Sequence, residues 1–128
     1  VSRRPALAST QRHAILQRAK LRLDATALYP RPVRIERVRV LVVPLLYRLP
    51  WFSRFDGYAA WNTILLRREP TTDAGDADLV CHELCHVWQM QHRPVAMPLS
   101  YLRFGYAANP YEAEARDVTE ISRPTTSS

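Results

Sequence analysis

Along this chain, apolar positions fall into two rhythms, one near a helical period and one near strict alternation, and proline separates them. Ser9 or Thr10 is placed to cap a helix reaching about Leu23. Ala14, Ile15, Leu21 and Leu23 supply its apolar face, with Arg12, Arg18, Lys20 and Arg22 around the rest. Residues 1–8 read as a loose leader. Tyr29-Pro30-Arg31-Pro32 breaks the helix. From Val33 to Val43 the rhythm changes: Val38, Val40 and Val42 alternate with Arg39 and Leu41, as in a half-buried strand. Pro44 and Pro50 interrupt the chain beyond that strand, and a second β region begins near Gly57, with a strand or hairpin arm over Tyr58 to Arg67.

Glu69 to Ala77 contains Pro70, Gly75 and several Thr and Asp residues, so it reads as a loop, and Asp73, Asp76 and Asp78 suit the positive end of a helix. That helix is expected from about Asp76 to Gln91, closed by Pro94 and Pro98. Leu99 to Ala107 reads as a short helix or turn. A last helix is expected from Asn109 to about Ile121, followed by a polar tail over residues 123–128. The length of 128 residues allows one domain. The order of elements gives an α+β fold: an N-terminal helix, a small twisted sheet, then two chemistry-bearing helices.

The helix after the loop carries Cys81-His82-Glu83-Leu84-Cys85-His86, an H-E-x-x-H pattern. Residues four apart lie on one helical face about one turn apart, so two imidazoles there can grip one Zn²⁺. Glu83 is one residue past His82, which places its carboxylate beside such an ion as a base rather than a ligand. With four His and six Glu in 128 residues, chance supplies roughly 0.006 such patterns. The competing reading is a pair of histidines packed on a helix without metal.

A catalytic zinc ordinarily takes three protein ligands and keeps one position open. His92 lies six residues past His86 and points off that face, and Gln89 stands where the metzincin pattern needs glycine. The remaining candidates are Glu112 and Glu114 in Asn109-Pro110-Tyr111-Glu112-Ala113-Glu114-Ala115-Arg116. These two glutamates face almost opposite ways round a helix, so only one can serve the ion. Glu112 also has a purely structural reading, because with Asn109 as N-cap it occupies the capping-box position.

Over roughly Gly57 to Asp117, the His86-Val87-Trp88-Gln89 stretch and the Asn109–Ala115 stretch resemble the paired motifs of small bacterial zincin-like metallopeptidases of the gluzincin type. The resemblance implies a zincin-like fold, one catalytic Zn²⁺ held by His82, His86 and Glu112, Glu83 as general base, and a peptide or protein substrate. It also implies an edge strand, placed near Trp61 to Leu66, that pairs with an extended peptide. Family members commonly carry a small residue three positions after the ligand glutamate and aspartate four after it. Ala115 matches, whereas Arg116 stands in the aspartate's place, so the usual aspartate support of a ligand histidine is missing. Tyr101, Tyr106, Tyr111 and His92 are the available donors to a developing oxyanion.

Charge adds a rival. The net charge is +6, but residues 1–48 carry +9 and residues 49–128 carry −3. The arginine-rich first half suits nucleic acid, although no nucleic-acid motif accompanies it, and a solvated face is the simpler reading. A non-catalytic metal- or partner-binding domain is the other rival. Cys81 and Cys85, four apart, share a helical face and cannot readily bridge, so they read as small buried apolar residues. The longest apolar stretch, Val40 to Tyr47, is too short to span a bilayer and no secretory signal pattern is legible, which gives the cytoplasm as the expected compartment.

Overall fold

A computed structural model describes residues 4–124. Helix α1 spans Arg4–Thr26, strand β1 Arg39–Val42, a 3-10 turn Pro44–Arg48, and strands β2 and β3 Gly57–Ala60 and Thr63–Leu66. Helices α2, α3 and α4 span Ala74–His92, Ala96–Phe104 and Pro110–Ile121. The α+β expectation holds. Residues 1–3 and 125–128, which carry parts of the expected leader and tail, lie outside the described residues.

The first helix departs from expectation at both ends and on its buried face. It already runs at Arg4, so residues 4–8 are helical rather than a leader, and it continues to Thr26. Among its residues 10–26, Ile15, Leu16, Ala19 and Leu23 are buried, while Leu21 is 70% exposed. The reason is angular: two residue steps put Leu21 about 200° from Leu23 around the axis, so the two cannot share a face.

The sheet is shorter than the alternation of valines suggests. Val33 to Val38 pairs with no strand: Lys20 Nζ donates to the Val33 carbonyl at 2.9 Å, Asp24 accepts from the Val33 N–H at 3.0 Å, and a turn closes from Val38 N to Ile35 O. These bonds hold Val33 against α1 in place of a ladder. Only Arg39 to Val42 finds partners, parallel to β3 from Thr63 to Leu66. Strand β2 pairs antiparallel on the other side of β3, so the order is β1-β3-β2. The Trp61–Leu66 segment expected as the free edge is therefore the turn and the central strand, and β1 and β2 are the edges.

Helix α2 is the centre of the molecule. Every residue from Glu83 to Met90 is buried, with α1 and α4 against it and the sheet covering another side. Ile64 and Leu66 of β3, Leu84, Val87 and Trp88 of α2, and Ala115 and Val118 of α4 share one apolar core. Trp88 is fully buried and its indole N–H donates to the Arg31 carbonyl at 2.8 Å, so removing the ring should cost about 3–5 kcal/mol. Arg22 of α1 fastens the assembly: it pairs with Asp78 on α2 at 2.9 Å and donates to the Thr119 and Ser122 carbonyls at the end of α4. Those carbonyls are orphaned by helix geometry and carry the negative end of its dipole, which a guanidinium suits.

The start of α2 is set two residues earlier than the acidic cluster alone suggests, with Asp73 at the N-cap. Asp76 then reaches back to accept from Thr71 N and Thr71 Oγ1, both at 2.7 Å, and pairs with Arg68 at 2.9 Å. Pro94 follows the end of α2 as expected, but Pro98 sits inside the first turn of α3, where its missing N–H costs no helical bond. Among the described residues no helix is long and apolar enough to cross a membrane.

Candidate metal centre

Helix α2 delivers His82 and His86 to one point. Their Nε2 atoms lie 3.1 Å apart with the ring planes nearly perpendicular, 87°. Glu112 of α4 meets them there, with Oε1 2.7 Å from His82 Nε2 and Oε2 3.0 Å from His86 Nε2. These three residues are one group that could hold a metal ion. The edges of the triangle fit that purpose: ligands at about 2.0–2.1 Å from a tetrahedral zinc stand about 3.3 Å from one another. A nitrogen, nitrogen and carboxylate set with this convergence is what a borderline cation requires.

Glu112 is nearly fully buried, and its position follows from the cap of α4. Asn109 Oδ1 accepts from the Tyr111 and Glu112 amides at 2.8 and 3.2 Å, and Asn109 Nδ2 donates to Ser100 Oγ of α3 at 2.8 Å. The cap thus holds α4 against α3 at a fixed start. The structural reading of Glu112 as a capping-box residue does not describe this helix: the Asn109 N–H donates to the Tyr106 carbonyl, and the Glu112 carboxylate turns to the histidines. Tyr101 donates to Glu112 Oε2 at 2.8 Å. Burial opposes ionisation of Glu112, but the bonds from His82, His86 and Tyr101 outweigh it and hold the carboxyl well below its usual range. It is therefore an anion, beside the positive end of α4.

Glu114 serves a different end. Its Oε1 accepts from Tyr29 Oη at 2.6 Å and from Gln89 Nε2 at 3.0 Å. Gln89 also donates to the Tyr111 carbonyl at 2.8 Å, which uses its amide hydrogens and turns its oxygen to His86 Nδ1 at 2.8 Å. With Nδ1–H committed to that oxygen, a neutral His86 would turn the Nε2 lone pair to an ion; without one, Nε2–H donates to Glu112. Gln89 is fully buried and fixes the orientation of the His86 ring. The sequence offers a signal for this, a glutamine three residues past His86 on a buried helix, but its meaning depends on Glu114 and Tyr111 arriving from α4.

Glu83 is buried on the cleft wall beside His82, His86 and Glu112. Burial raises its pKa, opposed by the two histidines. Gly57 at the start of β2 makes room for it: a Cβ there would lie 3.2 Å from Glu83 Cγ and 3.1 Å from Leu79 Cδ1. The metal face opens into a cleft of about 660 Å³ walled by β2, residues 51–56, α2 and α3.

Of the four expected oxyanion donors, Tyr101 and Tyr106 line this cleft, and Tyr111 and His92 do not. His92 stacks on Tyr29 at 4.6 Å, off the metal face as its spacing required. Tyr101 donates to Glu112, and Tyr106, 39% exposed at the wall, also faces Glu112: its phenol is raised to about 12 by burial, by the Glu112 charge and by a hydrogen bond to that carboxylate. Cys81 and Cys85 are free and buried, and burial pushes both thiols up, as inert packing residues. The arginine-rich half is partly spent on the fold, through Arg12 with Glu69 and Arg22 with Asp78.

No family model, curated protein or solved structure matches this chain.

Proposed function

We propose that this protein is a zinc-dependent metallopeptidase of the gluzincin kind, with a zincin-like arrangement of sheet and helices and a peptide or protein as substrate. The observation that carries the reading is the convergence of His82, His86 and Glu112 within 2.7–3.1 Å of one another, next to a buried carboxylate, Glu83, in the wall of an open cleft. A divalent ion held by that triad would supply Lewis acidity and make water in the cleft a nucleophile near neutral pH.

The chain's own residues account for the remaining chemistry. Glu83 takes the proton from the attacking water and returns it to the leaving amine, a task suited to a carboxyl whose pKa is raised by burial. His82, His86 and the Glu112 anion would hold the ion, and Gln89 would keep the His86 imidazole in the tautomer that binding needs. Tyr106, protonated across the physiological range, stands at the cleft to donate to the oxyanion. The free edge of β2, bordering the cleft, gives an extended peptide a ladder to join.

Glu83→Gln tests the reading. Wild type and variant should each bind one zinc per chain by elemental analysis, and the variant should lose peptide hydrolysis by about 10²–10⁴-fold in a digest of a mixed peptide library. Zinc binding with no hydrolysis by the wild type, or full activity in Glu83→Gln, would sink the proposal.

A further inference from the structure

Strand β2 turns into β3 through two residues, Trp61 and Asn62. Trp61 has φ +51°, in the left-handed region. A two-residue hairpin with positive φ at its first central position ordinarily places glycine there, because a Cβ is strained in that conformation and a bulky side chain most of all. The indole is not held there by burial, since it is 61% exposed. It lines the cleft. The Trp61 amide donates to Met90 Sδ at 3.3 Å, which pins the hairpin tip to α2 one helical turn beyond His86. Folding alone would favour glycine at this position. A strained backbone presenting an unburied indole to a cleft is an arrangement that a ligand can use.

The neighbouring walls share this character. Trp51 is 65% exposed, and Tyr58, Met97 and Pro98 continue the apolar lining. Tyr58 is braced edge-on by Phe52, with centroids 5.3 Å apart. Apart from the triad and Glu83, the charged residues lining the cleft are Arg54 and Asp56, and Arg54 already lies over the rings of Phe55 and Tyr106 at 4.8 and 5.4 Å.

We propose that Trp61 is a specificity-determining residue that binds a large apolar side chain of the substrate, aromatic or branched aliphatic. One turn of α2 advances about 5.4 Å, and an extended peptide rises about 3.3 Å per residue, so the apolar residue lies within about two positions of the bond being cut. The assignment rests on the hydrolase reading for what is cleaved, and the binding of an apolar group beside the metal face can be measured without cleavage.

The test is calorimetric titration of the zinc-loaded full chain with two series of dipeptidyl hydroxamates, acetyl-Xaa-Ala and acetyl-Ala-Xaa, with Xaa as Phe, Leu, Gly or Lys. The hydroxamate grips the ion equally in all, so differences report the side chain. In at least one series, Phe and Leu should bind about 10-fold or more tighter than Gly and Lys. Trp61→Gly should cut that preference below about 3-fold and leave the Gly member's affinity unchanged. Trp61→Ala should lose the preference equally but melt about 3–8 °C below Trp61→Gly, because alanine keeps the strained backbone. Equal binding of all members, a preference that survives Trp61→Gly, or a higher Tm for the alanine variant would each overturn the proposal. Hydrolysis without discrimination would leave the peptidase reading standing and remove this one. Discrimination without any hydrolysis would do the reverse.

Discussion

The metal face and the hairpin wall of the same cleft are built on opposite principles. At the metal face the side chains are held by partners from separate elements: His86 by Gln89, Glu112 by Tyr101 and two imidazoles, Gln89 in turn by Glu114 and the Tyr111 carbonyl. Gln89 and Glu112 are almost wholly removed from water. Across the cleft, Trp51 and Trp61 stand largely in solvent and Tyr58 partly so, and Trp61 sits on a strained backbone. Ligands and a base need fixed positions and a low dielectric, because misplacement by an ångström is costly and charge interactions are weak in water. A surface that selects among side chains needs unpaired apolar area for the substrate to cover. The molecule is rigid and dry at the His82–His86–Glu112 triad and aromatic and exposed at the hairpin wall.

The sharpest way to break this contrast is at Glu112. Glu112→Gln should weaken zinc binding by more than about 100-fold in a competitive chelator titration, whereas Glu114→Gln, acting through Gln89, should fall at or below the lower end of about 10–100-fold. The opposite ranking would mean that the relay, and not the triangle, holds the ion.

Gly57 marks where the two regions meet. Gly57→Ala puts a methyl 3.2 Å from Glu83 Cγ, so it should move the base and lower kcat by about 10–100-fold while zinc affinity stays unchanged. A loss of zinc in this variant would show that β2 supports the ligands as well as the base.

The smallest expected effect lies at the start of α2, which supports the metal face from a distance. Burial disfavours the Asp76 anion, but the bonds from Thr71 and Arg68 outweigh it and lower its pKa below the ordinary value of 3.8. A depressed folded pKa stabilises the protein in full above the ordinary carboxyl range, and the contribution is lost as pH falls through the folded value. Asp76→Asn should therefore cost about 1–2 kcal/mol at neutral pH and converge with the wild type in strong acid, as read by urea unfolding at several pH values. A constant difference at all pH values would show that geometry, and not charge, secures the helix start.

How far the sequence reveals this molecule differs by element. The H-E-x-x-H helix is legible because its chemistry is local: the 3.6-residue period alone puts His82 and His86 together and Glu83 beside them. The last helix is legible from Asn109 and Pro110, and its observed N-cap is Asn109. The first helix is not legible at its start or at Leu21, because a long, arginine-rich pattern does not say which of several leucines meets a partner. The strand expected over Val33–Val43 contracts to four residues because the partner strand is itself only four long. The choice between Glu112 and Glu114 stays open on spacing, since rotation about α4 decides it and the cap and α3 fix that rotation.

The sequence by itself determined the α+β order of elements and the identity of two candidate ligands and one candidate base, because each depends on residues within a turn of one another. Only the tertiary structure decided that Glu112 closes the triangle, that Gln89 and Glu114 orient His86, that β2 is the cleft's edge and that Trp61 stands exposed on a strained turn. Those facts join residues up to 85 positions apart, as Tyr29 to Glu114. No local period encodes such distances; they are set when α1, α4 and the sheet pack against α2.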